Sequence, residues 1–205
     1  MSTTTSTLTN RAKSQQKTRD ALVVAGASLI AQNGYSGASV RDIASLAGYT
    51  QGAFYSNFQS KDDLVFAIMR AQFQEAYASI ATLEKKPTAT LSELACDAAV
   101  WLQDICGSDE KALLIAEISL HAMRDEKFAS TYDALLEEHA LKMSAMLEDI
   151  AQASHLNLSV SVEHVAKGMI ALTRGLRLME PRQNTDAVTD ILRLFLESIL
   201  RKNSL

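Results

Sequence analysis

The run SVRDIASLAGYTQGAFYSNFQSKDDL, residues 39–64, constrains this chain more than any other stretch. Val40, Ile43, Leu46 and Ala47 recur at helical spacing, and Ala44 is small where a second helix must cross closely. Gly48 follows four residues after Ala44, where the backbone needs a left-handed or otherwise tight turn. Thr50 then caps a short helix whose Phe54 and Phe58, at i and i+4, point back toward Ile43 and Leu46. Two short helices joined this way make a helix-turn-helix, in which the second helix enters the major groove of DNA. The competing reading is an αα corner that merely packs.

The caps sharpen the assignment. Ser39 with Asp42, and Ser60 with Asp63, each fit the S-x-x-D capping box, which fixes where a helix begins and therefore how it meets its neighbours. The outward face of the second helix carries Gln51, Gly52, Ala53 and Tyr55, with no bulky aliphatic side chain to hold the backbone off a base pair. Lys61 adds a positive charge in the first turn of the next helix, where free N–H groups already favour a phosphate. The candidate DNA contacts are Ser39, Arg41, Tyr49, Thr50, Gln51, Gly52, Ala53, Tyr55 and Lys61.

The net charge of −4 looks wrong for a DNA binder until it is divided along the chain. Residues 1–61 hold six basic side chains (Arg11, Lys13, Lys17, Arg19, Arg41, Lys61) against Asp20 and Asp42, a net +4 that leaves −8 for the remainder. A basic head on an acidic body orients the approach to a polyanion. No run of 18 apolar residues exists to span a membrane, and the start MSTTTSTLTNRAK has no signal-peptide apolar region, so a cytosolic protein is expected. Cys96 and Cys106 lie ten residues apart in one expected helix, about 280° around it, and so read as buried, reduced thiols.

The run IASLAGYTQGAFYSNFQSKDDL resembles the DNA-binding signature of the TetR (tetracycline repressor) family of bacterial regulators. Upstream, TRDALVVAGASLIAQNGYSGAS resembles that family's first helix and its Gly-aromatic turn, so the likeness covers about residues 15–66. Tyr49-Thr50 departs slightly, since many members carry an aliphatic residue followed by Ser or Thr. The resemblance implies an all-α fold, with an N-terminal three-helix helix-turn-helix head joined to a larger C-terminal helical domain for ligand binding and dimerisation.

Helical periodicity divides the chain into about nine helices. Residues 1–12, rich in Ser and Thr, are expected to be a disordered basic arm, 13–60 the helix-turn-helix domain, and 61–205 the effector-binding and dimerisation domain. The first helix spans about 15–33 and stops at Asn33-Gly34, while the fourth runs from Lys61 to about Leu83, ahead of Pro87. Thr90 caps a fifth, 109–124 is apolar on most of its surface, and 126–154 is long and amphipathic. Val162, Val165, Met169, Leu172, Leu176 and Met179 follow a 3-4-3-4-3 spacing, a seam for another helix, flanked by Gly168, Ala171 and Gly175. The last helix, 185–202, repeats the pattern. Val165, Met169, Leu172, Leu176, Val188, Ile191, Leu192 and Phe195 are the expected dimer contacts, with monomer core as the competing reading.

By the resemblance, an effector entering the C-terminal half would tilt the fourth helix and release a palindromic operator. Phe73, Tyr77, Trp101, Glu117, His121, Met123, Tyr132 and Met143 are candidates to line its pocket, although at helical spacing such residues are more often plain core. Glu117, among apolar neighbours, needs a partner; an internal one such as Arg174 or Arg177 is expected, with a cationic ligand as the alternative. The four histidines show no metal-ligand spacing, and no phosphate loop or nucleophile–base pair points to an enzyme, so no metal, cofactor or catalytic residue is expected. The expected function is a dimeric repressor of transcription; a helical protein-interaction adaptor and a regulator without a small-molecule effector remain as alternatives.

Overall fold

The computed structural model describes residues 4–80, 91–106, 108–153, 156–158, 160–179 and 185–202. Nine helices occur among them: α1 (Thr4–Gly37), α2 (Val40–Leu46), α3 (Gln51–Tyr55), α4 (Lys61–Ile80), α5 (Leu91–Cys106), α6 (Asp109–Ala122), α7 (Glu126–Ala153), α8 (Val162–Met179) and α9 (Thr185–Ile199). Two three-residue strands, β1 (Leu156–Leu158) and β2 (Leu200–Lys202), pair antiparallel with Leu156 opposite Lys202. They are too short to carry a period-2 pattern, which is why the all-α expectation omitted them; the last helix accordingly stops at Ile199 and not at residue 202. The expected stop near Leu83 and the Thr90 cap lie outside the described residues.

Helix α1 begins at Thr4, inside the stretch read as a disordered arm. No Gly or Pro interrupts 4–25, and once a helix is nucleated each added residue brings its own hydrogen bond. The break at Asn33-Gly34 is real: Gly34 has φ 76° and ψ 165°, and only a short turn to Gly37 follows.

The chain forms two compact units. The first comprises Met1–Ala71 and Leu113–Ala129, the second Gln72–Ala112 and Ser130–Leu205. In the first, Leu22, Ile30, Ile43, Phe54, Leu64, Ile68, Leu114 and Phe128 are fully buried. Helix α2 buries Ile43 and Ala44, which sets its inner direction. Leu46 falls more than a quarter-turn from it and is 57% exposed, correcting its placement in the core.

In the second unit, α5 packs chiefly on α9, and α8 packs on both. Its core gathers Tyr77, Trp101, Leu102, Met143, Val165, Met169, Val188 and Leu192, with Phe73, Leu172, Leu176 and Phe195 packed against it. This corrects four of the eight expected dimer contacts. Val165, Met169, Val188 and Leu192 are at most 3% exposed within the single chain and have no face to offer a second copy. A Cβ on Gly168 would come within 3.1 Å of the Phe195 ring, so that glycine serves the chain's own α8–α9 contact. Cys96 is exposed and free, not buried, because α5 turns Ala95 and Ala99 inward instead.

Candidate nucleic-acid interface

Both ends of α2 and the start of α3 are fixed by local bonds that the sequence encodes. Ser39, with extended backbone, caps α2: its Oγ accepts the Asp42 N–H at 3.1 Å and donates to Asp42 Oδ2 at 2.6 Å. The far end closes in a Schellman turn, with Tyr49 N–H donating to Ala44 O (2.9 Å) and Gly48 N–H to Ser45 O (3.0 Å). Gly48 has φ 78°, the left-handed conformation this turn requires. Thr50 restarts the helix, its Oγ1 accepting the Ala53 N–H at 3.2 Å. Helix α4 opens on a Ser60 cap, Asp63 N–H donating to Ser60 Oγ, while the Asp63 carboxylate reaches back to the N–H of Gln59, the residue before the cap, both at 3.1 Å.

Phe54, fully buried and 5.6 Å from Phe58 between ring centroids, is the inner anchor of α3. Outside it, Thr50, Gln51, Gly52 and Tyr55 are exposed, while Tyr49 and Ala53 are half-buried. A Cβ on Gly52 would meet nothing nearer than Thr50 Oγ1 at 3.7 Å, so the protein's own packing does not call for a glycine there. Ser39 and Arg41 on the neighbouring helix are exposed too. Eight of the nine sequence-derived contacts thus lie on or beside the two short helices.

The ninth, Lys61, is differently employed. Its Nζ donates to Tyr35 O (2.7 Å) and Ala38 O (3.1 Å) and lies 4.0 Å from the Tyr35 ring centroid. Burial pulls its pKa down, against the pull of the Asp62 carboxylate beside it. The ammonium therefore ties the turn between α1 and α2 to α4.

Tyr35 is the hub of that turn. Its hydroxyl donates to Asp62 Oδ1, its ring stacks on His121 with centroids 3.5 Å apart, and its N–H donates to Glu117 Oε2 at 3.1 Å. Burial, then the Asp62 acceptor, pushes its phenol far above the ordinary range. The partner of Glu117 is thus a backbone N–H and not Arg174 or Arg177, a correction sequence could not supply because the bond spans 82 residues.

The candidate pocket residues divide between the units. Glu117, His121 and Met123 belong to the first, where Glu117 and His121 support Tyr35 and Met123 is 84% exposed. Phe73, Tyr77, Trp101, Tyr132 and Met143 belong to the second, and Phe73, Tyr77, Trp101 and Met143 share its core. Sequence reasoning missed His139, which stacks on Phe73 (3.9 Å, 3°) and shares a 2.7 Å hydrogen bond with the Tyr77 hydroxyl. Its place on the apolar face of α7, with Leu135 and Met143 at i−4 and i+4, was the available signal. Trp101 Nε1–H donates to Ser79 Oγ at 2.8 Å. Among the described residues, no group of His, Cys, Asp or Glu gathers to hold a metal, and no helix is long and apolar enough to cross a membrane.

Burial, and next the positive charge of Arg174, lowers the His139 pKa to about 4; burial and then Glu138 raise Tyr77 to about 12. Unfolded, the imidazole takes a proton near its ordinary 6.5, whereas folded it refuses one until about 4. Between those values the unfolded state binds more protons, so stability falls as pH drops through the window, by about 2 kcal/mol from this group at pH 5. Thermal melts should show His139→Gln losing less stability than wild type between pH 7 and pH 5. An equal loss would remove His139 from the account.

Residues 22–68 match the family model for "Bacterial regulatory proteins, tetR family". An uncharacterized HTH-type transcriptional regulator of Bacillus subtilis (strain 168), YwcC, is 31% identical over 85 residues, which is 42% of this chain and only 38% of that protein's length. Solved structures share the fold at low identity. A Rhodococcus sp. protein assigned to the TetR-family transcriptional regulators has a TM-score of 0.74 at 20% identity, covering 91% of this chain and all (100%) of the other. A TetR-family regulator from Agrobacterium tumefaciens gives 0.65 at 24%, covering 91% and 100%. The fatty acid degradation regulator FadR from Bacillus halodurans gives 0.68 at 14%, covering 87% and 93%.

Proposed function

We propose that this chain, which belongs to the tetR family of bacterial regulatory proteins, is a cytoplasmic homodimeric repressor that grips a palindromic operator with α3 and releases it when a small molecule binds the second unit. It is read as a binding protein and not an enzyme. The observation that carries the reading is the outer face of α3. Both helix ends and the inner face are fixed by the protein, yet Gln51, Gly52 and Tyr55 are left exposed, with nothing nearer to a Cβ on Gly52 than Thr50 Oγ1 at 3.7 Å. A rigid helix with a glycine facing outward suits close approach of its backbone to a base-pair edge.

Dimerisation is supported by what the second unit leaves uncovered. On α8, Leu178 and Met179 are 60% and 82% exposed, in line with exposed Ala171 and with Gly175, where a Cβ would meet nothing within 4 Å. On α9, Leu194 and Ile191 are 58% and 37% exposed. These are the outer stripes of the two helices whose inner stripes form the core, and a two-fold contact through them would give two recognition helices and a palindromic site. An aromatic and Met-rich core around the Tyr77–His139 pair suits an apolar effector carrying one hydrogen-bonding group. Coupling between effector and DNA of this kind is typically about 1–3 kcal/mol.

The test is titration of purified protein into labelled DNA flanking its own gene, across salt concentrations and with random DNA as competitor. Wild type is expected to bind tightly and resist the competitor. Gly52→Ala is expected to melt no lower than wild type, since alanine favours a helix by about 1 kcal/mol, and to lose at least about tenfold in operator affinity through its new methyl group. Gln51→Ala is expected to change base preference more than affinity for random DNA. Unaltered binding by Gly52→Ala would reject α3 as the reading element.

A further inference from the structure

Resting on the reading of α3 as the DNA-reading helix, we propose that Arg19 is a positioning residue that clamps its C-terminal end and so sets specificity without itself reading a base. Helix α3 has only five residues, far below the length at which a helix holds itself in water. Thr50 fixes its start and Phe54 its inner face, which leaves the last turn, directly after Tyr55, to be secured from elsewhere.

The carbonyls of that end are taken up one after another. Gly52 O accepts the Ser56 N–H (3.1 Å), and Phe54 O accepts the N–H groups of Asn57 and Phe58 (both 2.9 Å). Ala53 O accepts Ser56 Oγ–H and Asn57 Nδ2–H, both at 2.8 Å. Asn57 O, just beyond the helix, accepts Arg19 Nη1–H at 2.8 Å across 38 residues of chain. The same guanidinium lies 4.2 Å from the centroid of the Phe58 ring. One planar cation thus holds two consecutive residues, Asn57 by a directed bond and Phe58 by its face.

A guanidinium can do both at once because its donors lie in the plane that stacks, whereas an ammonium is a point charge with no face. Arg19 is itself held in register, since Leu22, one turn further along α1, is fully buried. The clamp therefore ties the reading helix to the body of α1. If the last turn of α3 frays, Tyr55 and Gln51 lose the fixed geometry on which base readout depends, while phosphate attraction persists.

The experiment compares wild type, Arg19→Lys and Arg19→Ala in two measurements on the full-length protein. The first is fluorescence anisotropy with operator and with random DNA over a salt series. The second is amide hydrogen exchange of residues 54–58 against α2 and α4. Arg19→Lys is expected to lose about tenfold or more on operator, with random-DNA affinity within about twofold and the salt slope unchanged. Its Asn57 and Phe58 amides are expected to exchange faster while α2 and α4 keep their protection. If lysine restores operator binding and alanine weakens both DNAs with a shallower salt slope, Arg19 is a phosphate contact and the clamp is refuted. Equal loss of protection in α2, α3 and α4, or no loss in α3, refutes it as well. Should wild type fail to distinguish operator from random DNA, the functional reading falls, and the exchange data alone still decide whether Arg19 holds α3.

Discussion

Replacing Phe128 with alanine should cost about 3–5 kcal/mol of stability, the usual range for deleting a fully buried aromatic ring. Phe128 is 2% exposed and sits in the first turn of α7, whose start is capped by Asp125 accepting the Phe128 N–H at 2.9 Å. Its ring lies 4.7 Å from Phe66 of α4, 4.6 Å from His121 of α6 and 6.2 Å from Tyr35 of α1. From α7 this one side chain touches three other helices of the first unit, and none of the four can close the void alone. With whole domains stable by about 5–15 kcal/mol, such a loss is a large share of the total. Chemical denaturation followed by circular dichroism is the measurement. A loss under about 1 kcal/mol would mean that the four helices repack, which their mutual aromatic contacts argue against.

What the sequence made legible was local. Ser39, Thr50 and Ser60 cap the helices they were assigned to, Gly48 takes the left-handed turn, and Phe54 with Phe58 forms the inner face of α3. Each of these is decided within about four residues by hydrogen-bond chemistry and side-chain geometry. What escaped depends on partners far along the chain. Arg19 meets Asn57 across 38 residues, Glu117 meets Tyr35 across 82, and Lys61 meets Tyr35 O across 26. No periodicity encodes such pairs. The seams of α8 and α9 illustrate a different gap: a heptad-like stripe announces that a face will be covered, and does not say by which chain. Val165, Met169, Val188 and Leu192 are covered by their own. The charge division has the same character, since Lys61 was counted toward a phosphate surface and is spent on two carbonyls.

Gly34→Ala should cost about 3 kcal/mol or more, well beyond the same change at Gly48 or Gly52. Gly34, Gly48 and Gly52 sit in three different situations, and their ranking tests the geometry. At Gly52 the backbone is helical and a Cβ makes only an ordinary contact with Thr50 Oγ1, so alanine is neutral or favourable. At Gly48, φ is 78° and nothing lies within 4 Å of a Cβ, so the penalty is the left-handed strain alone, about 1–2 kcal/mol. At Gly34, φ 76° with ψ 165° is a region that only glycine occupies comfortably. A Cβ there would also stand 3.0 Å from Glu117 Oε2, the very oxygen that accepts the Tyr35 N–H at 3.1 Å. Relief requires that carboxylate to move, which leaves the amide unpaired at a further cost of about 1–3 kcal/mol. Thermal melts of the three alanine variants should therefore fall in the order Gly52, Gly48, Gly34, the last lowest. Glu117→Gln, whose amide oxygen can still accept the Tyr35 N–H, should lose far less than Gly34→Ala. If Gly34→Ala and Gly48→Ala melt together, the Glu117 bond contributes nothing to the turn, and the hub at Tyr35 is held by Asp62, Lys61 and His121 alone.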